Sequence, residues 1–521
     1  MNDKAYPEYS ELYVISDLHL GGKPGMQIFC QGERLKQFLE WLGKQADELL
    51  EGKLALVLAG DVIDTLPYQK AKNSYISIDN AVAVLEEIMN DIAFYPVFEG
   101  LSTFVNGNNC ELIIMIGNHD LELAMPEVQE ALLQSIADQN FNDKQIRNTV
   151  DASSARGRVR FFTQGTGFRC KVSEKKVYVT HGNETDKWNH VDHEALRKTI
   201  HARTLGQTFD VKNWSPNAGT QLVVNVMNEI KAKHPFIDLL KPEDSAAIPV
   251  LMALDLGVFK KFWDALTAAA KNINLEPTVV LGNNGWTLQS EPESLRLLSE
   301  AMTTGIFSNE YFSNSTLVAR VEEMQNNGIE PEDLVSDEGA SLGFGNAARI
   351  FGEYEIKQWW GKLWGNRSAE EALQETLKKW IKNDKSFMLD SEDENYQGIL
   401  GQIGDREYFD VIIAGHTHLP RWIKPGAYQY RPIYLNTGTW ARIIGLREKW
   451  LMDKDLFKQV HEALKQTDMR NLDNIKIEKK EKLILDVTVA AHVSKSEPKL
   501  VRIMDTGTAE NIPSNNNILE W

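Results

Sequence analysis

The chain is poor in cysteine, and the few cysteines it has are not arranged in pairs. Its 521 residues include only Cys30, Cys110 and Cys170, an odd number of widely spaced thiols. Neither a disulfide framework nor a thiolate zinc site is expected from this pattern. Few unpaired cysteines are typical of a reducing compartment, so we expect a cytoplasmic protein.

Long apolar runs are also missing. The longest apolar stretch, 246–259, contains Pro249 and Asp255 and is shorter than the roughly 20 residues that a membrane span needs. The start of the chain is polar and lacks the apolar centre of a signal peptide. We interpret 246–259 and the aromatic stripe at 356–364 as buried helices. The alternative for 246–259 is contact with an acyl chain, and the alternatives for 356–364 are an aromatic wall over the site and a patch for peripheral membrane contact.

Positive charge is scarce as well. The chain has 56 Lys and Arg against 74 Asp and Glu, which gives a formal net charge of −18 at pH 7. Binding along a nucleic-acid backbone needs a basic surface, so a nucleic-acid partner is not expected. Bound divalent cations would offset part of the negative charge locally.

Against these absences stand five short motifs, each of which follows a short apolar run. The runs are 12–15, 54–58, 112–116, 177–180 and 411–414. They have the composition of buried strands, and ligands of α/β proteins bind where such strands end. We therefore expect the motif side chains to form one site. In chain order the motifs are Asp17-Leu18-His19, Gly60-Asp61-Val62-Ile63-Asp64, Gly117-Asn118-His119-Asp120, His181-Gly182 and Gly415-His416-Thr417-His418.

The residue types in these motifs suit a pair of divalent metal ions. Asp17 and His19 can hold one cation from a strand end, and the glycine before Asp61 permits a sharp turn. One carboxylate can bridge two cations roughly 3.5–4 Å apart. Oxygen and imidazole ligands without sulfur suit Mn²⁺, which we expect first, and also Fe and Zn²⁺. The predicted metal ligands are Asp17, His19, Asp61, Asn118, His181, His416 and His418.

Two such ions predict hydrolysis of a phosphate ester. They would lower the pKa of a water between them, and the metal-bridging hydroxide would attack phosphorus. His119 is predicted to protonate the leaving oxygen, and Asp120 is predicted to orient His119. Asp64 has two open roles: it either orients a ligand histidine or caps the helix that follows.

Three further residues are candidates with a less specific signal. His190 and His193 follow the fourth motif, and we interpret them as polar residues entering an insertion, with metal ligation as the alternative. Arg421 follows the fifth motif and either binds a substrate phosphate or forms a surface salt bridge.

Strand and helix patterns alternate in the first part of the chain, which predicts an α/β fold. Helical stripes cover 34–50, 81–93 and 126–137, while 158–163 and 177–180 are predicted as two strands of a second sheet. Further strands are expected at 433–436, 483–489 and 500–503, and a helix around 456–464.

Residues 187–405 interrupt this alternation. They are mostly helical in pattern, and Ser368-Ala-Glu-Glu371 is a capping box that opens a helix running to about Lys382. The insertion has the size of a domain and is expected to cap the site. The predicted organisation is a first core part at 1–186, the mainly helical insertion at 187–405, a second core part at 406–505, and a polar tail without regular structure at 506–521.

The five motifs together resemble those of the calcineurin-like metallophosphoesterase superfamily. Its D-x-H, G-D-x-x-D, G-N-H-[DE], H and G-H-x-H blocks all match, over 10–186 and 406–445. The resemblance implies a four-layer αββα sandwich of two mixed β-sheets flanked by helices. It implies His119 as the catalytic histidine. It also implies one metal on Asp17, His19, Asp61 and His418, and the other on Asp61, Asn118, His181 and His416.

Within the superfamily, the segments 15–20, 181–182 and 416–420 are most similar to bacterial UDP-2,3-diacylglucosamine pyrophosphohydrolases. The chain departs from that group at His119 and Asn183, where those enzymes usually have Arg and Asp. The predicted function is hydrolysis of a mono-, di- or pyrophosphate ester of a small or medium metabolite, so the expected partner is a phosphorylated small molecule. The alternatives are a nuclease of the same superfamily, a lipid-linked pyrophosphatase, and a scaffold with a relic metal site.

Overall fold

The fold is described from a computed structural model. The structure describes residues 6–68, 80–138, 152–186, 189–207, 216–217, 219–220, 223–241, 279–282, 285–288, 368–381, 385–403, 409–425 and 431–521. The stretches 246–259 and 356–364 lie outside these residues. Two compact units are present: unit 1 comprises Met1–Val224, Lys385–Ile443 and Ile484–Trp521, and unit 2 comprises Asn225–Asp384 and Ile444–Leu483. The predicted boundaries at 186 and 405 stay predictions.

The strands and helices of the described residues are numbered here in chain order. The strands are β1 (Glu8–Tyr9), β2 (Glu11–Ile15), β3 (Leu54–Ala59), β4 (Cys110–Met115), β5 (Val159–Phe162), β6 (Phe168–Val172), β7 (Lys175–Val179), β8 (Val279–Gly282), β9 (Gly285–Leu288), β10 (Val411–Ala414), β11 (Pro420–Ile423), β12 (Ile433–Thr437), β13 (Lys476–Ile477), β14 (Glu481–Lys482), β15 (Val489–Val493), β16 (Lys499–Ile503) and β17 (Ala509–Asn511). The α-helices are α1 (Gly32–Asp47), α2 (Ala81–Asn90), α3 (Tyr95–Val105), α4 (Pro126–Ile136), α5 (Ala152–Arg156), α6 (His193–Thr204), α7 (Asn228–Lys231), α8 (Ala369–Ile381), α9 (Glu394–Ile403), α10 (Glu448–Met452), α11 (Lys454–Leu464) and α12 (Met469–Leu472).

Unit 1 is built on two mixed β-sheets. The seven-stranded sheet has the order β17-β16-β15-β2-β3-β4-β5, and its strands from β2 to β5 are parallel. The six-stranded sheet has the order β1-β6-β7-β10-β12-β11, with β7, β10 and β12 parallel at its centre. The predicted α/β fold of two mixed sheets with helices is confirmed.

Side-chain alternation along the strands divides the core into layers. In β2, Leu12 and Val14 belong to a cluster that also contains Val177 and Ile413 of the other sheet, so the two sheets face each other. Tyr13 and Ile15 point the opposite way, into a cluster with the helices α1 to α4. The outer face of the six-stranded sheet packs on α9. The period-2 pattern of the buried strands thus produces the expected sandwich.

Most of the predicted elements are present near their expected positions. The stripes at 34–50, 81–93 and 126–137 form α1, α2 and α4, and the five apolar runs form β2, β3, β4, β7 and β10. The helix predicted around 456–464 is α11, and the strands predicted at 433–436 and 500–503 are β12 and β16.

Three predictions differ from the structure. The strand at 158–163 is β5, but it pairs with β4 in the seven-stranded sheet and does not share a sheet with β7. The strand expected at 483–489 instead begins at Val489. The tail was expected to lack regular structure, yet β17 pairs with β16, and Ile518 packs into the core between the sheets. Local composition did not predict these pairings, because polar edge strands gain their order from a neighbour.

Within unit 2 the predicted capping box is confirmed. The Ser368 N–H donates to Glu371 Oε2 and the Glu371 N–H donates to Ser368 Oγ, both at 3.2 Å, just before α8 begins. α8 is anchored to α10 through Gln374, whose Nε2 donates to the Leu451 carbonyl at 2.8 Å. In the part of the chain that the structure describes, no helix has the length and apolarity to cross a membrane.

Candidate active site

The five motifs lie at the carboxyl ends of their strands in unit 1. Three follow β2, β3 and β4 of the seven-stranded sheet, and two follow β7 and β10 of the six-stranded sheet. Because the two sheets face each other, the ends of these five strands meet on one side of the sandwich. The seven residues predicted as metal ligands are brought together there.

Asp17, His19 and His418 form one group of close ligand atoms. Asp17 Oδ1 lies 3.3 Å from His418 Nε2 and 4.0 Å from His19 Nε2. The two imidazole nitrogens Nε2 are 2.9 Å apart. All three side chains are at least four-fifths buried. A carboxylate and two imidazoles at these separations can surround one small cation.

Asp61, His181 and His416 form a second group. Asp61 Oδ2 is 3.2 Å from His181 Nε2, and the same oxygen is 3.9 Å from His19 Nε2 of the first group. His181 Nδ1 faces the backbone carbonyl of Ala59 at 2.8 Å, so Nδ1 carries the proton and Nε2 offers its lone pair. The carboxylate of Asp61 thus lies between the two groups.

Asn118 supplies a neutral oxygen beside the second group. Its Nδ2 donates to Asn189 Oδ1 at 3.3 Å. Asn118 Oδ1 is buried and has no hydrogen-bond partner among the described residues, and the same holds for His181 Nε2. Buried acceptors without a partner are costly in a protein interior. The unsatisfied oxygen, the imidazole lone pairs and the carboxylates fit a pair of divalent ions.

Several of these residues have a left-handed backbone. The angle φ is +54° at Asp17, +49° at His19, +51° at Asp61, +68° at His416 and +60° at His418. Each such residue costs about 1–3 kcal/mol and persists where the surrounding structure enforces it. Here the His19 N–H donates to the Asp61 carbonyl at 2.9 Å, which joins two of the turns. The strained turns aim the side chains into the site.

The electrostatics of the cluster favour cations. Burial raises the pKa of Asp17, but the hydrogen bond to His418 and the charges of His181 and His418 outweigh it and lower that pKa to about 2. Burial likewise raises the pKa of Asp61, and the charges of His181 and His119 reverse the direction and lower it well below its ordinary range. Both carboxylates are therefore ionised at neutral pH. Two buried negative charges are stable only beside positive charge, which protonated histidines or bound cations can supply.

The carboxylate beside His119 is Asp64. Asp64 Oδ1 lies 3.3 Å from His119 Nδ1, and Asp64 Oδ2 lies 3.6 Å from His19 Nδ1. Asp64 Oδ1 also accepts the Leu66 N–H at 3.1 Å, at the start of a short 3₁₀ turn. Both roles left open for Asp64 therefore agree with its contacts, since it reaches two histidines and caps a turn.

The carboxylate of Asp120 accepts hydrogen bonds from two backbone N–H groups. Its Oδ1 accepts the Gly117 N–H at 2.7 Å and its Oδ2 accepts the Val62 N–H at 2.8 Å. Burial and the neighbouring charge of Asp61 raise the pKa of Asp120 to about 7. The two oxygens of Asp120 thus hold the backbone of the second and third motifs together, and the carboxylate that lies beside the His119 ring is that of Asp64.

The three candidates with a weaker signal lie outside both ligand groups. His190 is exposed, and the His193 ring packs against Gly165. Arg421 is 4% exposed, and its Nη1 donates to the carbonyls of Ser386 and Met388 at 2.8 and 3.3 Å. Arg421 Nε also lies 3.9 Å from Asp393 Oδ2. A salt bridge is therefore present, but it is buried and not at the surface, and phosphate binding by Arg421 stays a prediction.

Four polar residues of the site had no sequence motif. Asp186 and Asn189 follow the His181 motif, and Asp393 and Asn395 lie at the start of α9, inside the predicted insertion. Asn395 is 1% exposed, donates to the Gly415 carbonyl at 3.0 Å and accepts from Thr185 Oγ1 at 3.0 Å. It therefore joins the segments that follow His181 and precede His416. Asparagine and aspartate are so common in loops that no sequence signal marked these four.

Comparison with known proteins agrees with this geometry. Residues 11–239 match the family model described as calcineurin-like phosphoesterase. Residues 11–239 are therefore similar to a calcineurin-like phosphoesterase domain. That family consists of metal-dependent phosphoric ester hydrolases, so the chain is an enzyme of this class. A comparison with curated proteins found no match.

The matched residues of the phosphoesterase domain stop before His416 and His418. The structure nevertheless places β10, the strand that precedes both histidines, between β7 and β12 in the six-stranded sheet. The phosphoesterase domain is therefore completed by a segment far along the chain. The resemblance seen in the motifs extends to the residues that the family model leaves unmatched.

A methyl group at Gly117 of the phosphoesterase domain should disrupt the site. An added Cβ would lie 2.7 Å from His181 Nε2 and closer still to Asp61 Oδ1. We expect Gly117→Ala to lower hydrolysis by about 10²-fold, because a displacement of about 1 Å in a site has this effect. Steady-state kinetics on a chromogenic phosphate ester measure the loss.

Gly43→Ala in α1 is the matched control. Nothing lies within 4 Å of a Cβ at Gly43, and alanine favours a helix over glycine by about 0.5–1 kcal/mol. This control should keep its activity and unfold at the same or a higher temperature. Full activity of Gly117→Ala would contradict the close packing around Asp61.

Proposed function

We propose that the protein hydrolyses a phosphate ester of a small or medium metabolite with two divalent metal ions bound in this site. Asp17, His19 and His418 would hold one ion, Asn118, His181 and His416 would hold the other, and Asp61 would be shared. The substrate class covers monoesters, diesters and pyrophosphates. Mn²⁺ is the first candidate metal, and Fe and Zn²⁺ have the same preference for oxygen and imidazole.

The position of Asp61 carries the proposal. One of its oxygens lies within 3.9 Å of an imidazole nitrogen from each group. Asp61 Oδ1 also accepts the His119 N–H at 2.9 Å, which fixes the carboxylate between the groups. A shared carboxylate reduces the repulsion between two cations and sets them at the separation that in-line attack on phosphorus requires.

The bound ions would polarise the phosphate and activate water. The chain's own part is to bind the phosphate near His119 and to supply a proton to the departing oxygen. His119 is 18% exposed at its side chain, so a substrate can reach it. Asp64 accepts from His119 Nδ1, so Nε2 faces the site as the proton donor when the ring is protonated.

The charge of the chain supports a small substrate. A net charge of −18 repels a nucleic acid, which carries many negative charges, more strongly than it repels a single phosphate group. Two bound cations would also attract that phosphate group. The resemblance of the first, fourth and fifth motifs to UDP-2,3-diacylglucosamine pyrophosphohydrolases makes a nucleotide-linked pyrophosphate one candidate within this class. That finer substrate assignment stays a prediction.

Metal removal tests the proposed function. We expect protein dialysed against a chelator to lose hydrolysis of p-nitrophenyl phosphate and of bis-p-nitrophenyl phosphate, and Mn²⁺ to restore it. Metal analysis of the restored protein should give two ions per chain. The ratio of the two rates distinguishes a monoesterase from a diesterase, and a nucleoside diphosphate ester tests pyrophosphate cleavage.

Protein that has been dialysed without chelator controls for handling losses. Hydrolysis that survives complete metal removal would refute the proposed function. A rate on single-stranded DNA above the rates on all small esters, with a steep dependence on salt, would favour the nuclease.

A further inference from the structure

The segment after the fourth motif connects two of the proposed ligands of the second ion. Asp186 Oδ2 lies 2.9 Å from His416 Nε2 and accepts from Asn189 Nδ2 at 2.6 Å. Asn189 Oδ1 in turn accepts from Asn118 Nδ2 at 3.3 Å. A continuous line of hydrogen bonds therefore runs from His416 through Asp186 and Asn189 to Asn118.

The carboxylate of Asp186 determines the direction of every bond in this line. An ionised carboxylate only accepts, so the proton of the neutral His416 ring lies on Nε2 and the lone pair lies on Nδ1. For the same reason Asn189 must present its NH₂ group to Asp186 and its carbonyl oxygen to Asn118. The sequence of donors and acceptors thus has one consistent arrangement.

The consequence at Asn118 is a defined amide orientation. Its NH₂ group is bound to Asn189, so its carbonyl oxygen is the atom directed away, and that oxygen is buried without a hydrogen-bond partner among the described residues. A flip of the Asn118 amide would place its carbonyl oxygen against Asn189 Oδ1, so two acceptors would face each other and the hydrogen bond would be lost. One carboxylate therefore fixes an imidazole at one end and an amide at the other.

The line rests on an anchored backbone. The Asn189 carbonyl accepts from Asn183 Nδ2 at 3.0 Å and from Asn217 Nδ2 at 3.3 Å. Asn183 is 1% exposed. Since these bonds use the main chain of Asn189, replacement of its side chain leaves the anchor in place.

We propose that Asp186 and Asn189 are positioning residues that preset His416 and Asn118 for the second metal ion. The inference rests on the proposed function, because it takes both as ligands of that ion. Carboxylates and amides that orient metal ligands in this way typically raise metal affinity by about 10- to 100-fold. The first ion, held by Asp17, His19 and His418, has no part in this line.

Mn²⁺ binding to the full chain tests the proposal. Wild-type protein, Asp186→Ala and Asn189→Ala are dialysed against a series of Mn²⁺ concentrations, and bound metal is measured by elemental analysis. Electron paramagnetic resonance reports whether one or two ions are bound, because paired Mn²⁺ ions give an exchange-coupled spectrum. We expect the second ion to bind about 10- to 100-fold more weakly in both variants, while the first ion binds as in wild type.

Two further variants separate positioning from a general loss of structure or charge. Asp186→Asn keeps the shape and an accepting oxygen, so it should recover part of the affinity for the second ion. Asp192→Asn removes the same charge from the same segment, but Asp192 caps α6 by accepting from the Ala195 N–H at 2.9 Å. It should bind both ions as wild type does. Excess Mn²⁺ should return the kcat of Asp186→Ala and Asn189→Ala towards the wild-type value.

The results of these experiments distinguish failure of the positioning role from failure of the proposed function. Wild-type affinity for both ions in Asp186→Ala and Asn189→Ala, with wild-type protein binding two ions and hydrolysing esters, would overturn the inference and leave the proposed function intact. Fewer than two ions in wild-type protein would overturn both. Thermal unfolding without metal accompanies each variant, and the isosteric Asp186→Asn decides the case if Asp186→Ala does not fold.

Discussion

Replacement of Asp61 by asparagine should reduce hydrolysis of a phosphate ester by at least about 10³-fold. The amide keeps an oxygen that can accept the His119 N–H, so the local backbone contact persists. It loses the negative charge that lies between His19 and His181. Metal ions supply several kcal/mol of charge stabilisation to phosphate hydrolysis, and each 1.36 kcal/mol lost from it is about tenfold in rate.

Metal content provides the second measurement for Asp61→Asn. Both proposed ions share this carboxylate, so the variant should retain fewer than two Mn²⁺ per chain after dialysis. Asp47→Asn is the control, because Asp47 is exposed at the end of α1 and its removal changes the net charge equally. If Asp61→Asn bound two ions and kept the wild-type kcat, the proposal that the Asp61 carboxylate binds both ions would be wrong.

Replacement of His119 by asparagine should lower kcat by about 10²–10⁴-fold on esters with a poor leaving group. His119 is proposed to protonate the departing oxygen, so its removal matters most when that oxygen is strongly basic. Phenyl phosphate should therefore suffer much more than p-nitrophenyl phosphate, whose leaving group departs without a proton. Paired kinetics on the two esters measure this difference.

Two variants complete that experiment. Asp64→Asn weakens the acceptor 3.3 Å from His119 Nδ1 and should give a smaller loss with the same dependence on the leaving group. His190→Asn replaces an exposed histidine outside the ligand groups and should leave kinetics unchanged. Equal losses on both esters in His119→Asn would instead assign His119 to phosphate binding.

The convergence of the predicted ligands could be derived from the sequence because strand ends carry the information locally. An apolar run that is followed at once by Asp, Asn or His predicts that a buried strand ends there. It also predicts that the chain turns at that point. Asp17 and His418 are separated by 401 positions in the chain, yet each lies one turn beyond a central strand. Parallel strands bring such turns to the same edge.

The hydrogen-bond partners of the site residues were harder to predict, because they depend on contacts between motifs. Asp120 is the nearest carboxylate to His119 in sequence, but its oxygens bind backbone N–H groups of Gly117 and Val62. Asp64 reaches His119 from another strand end. Buried backbone N–H groups that would otherwise lack an acceptor bind the carboxylate of Asp120 in preference to the His119 side chain. The motif sequence alone does not indicate which of these donors the carboxylate will bind.

The same limit applies to residues outside any motif. Arg421 was expected in a surface salt bridge or on a phosphate. It is buried instead, and its guanidinium binds carbonyls of a neighbouring segment and lies 3.9 Å from Asp393 Oδ2. Asn395 was assigned to the insertion, because no strand-end motif marks that part of the chain. Its amide nevertheless joins the Gly415 carbonyl to Thr185, a contact that only the fold creates.

The sheet order has a consequence for how the enzyme matures. β10 and β12 lie inside the six-stranded sheet beside β7, although they are among the later strands to be synthesised. Until a ribosome has released residues beyond 437, the nascent polypeptide therefore exposes the open edge of β7 and lacks two imidazoles. We expect the proposed metal ions to bind only after residues 416–418 have been released, and a product that ends earlier should aggregate through the open edge of β7 and lack hydrolytic activity.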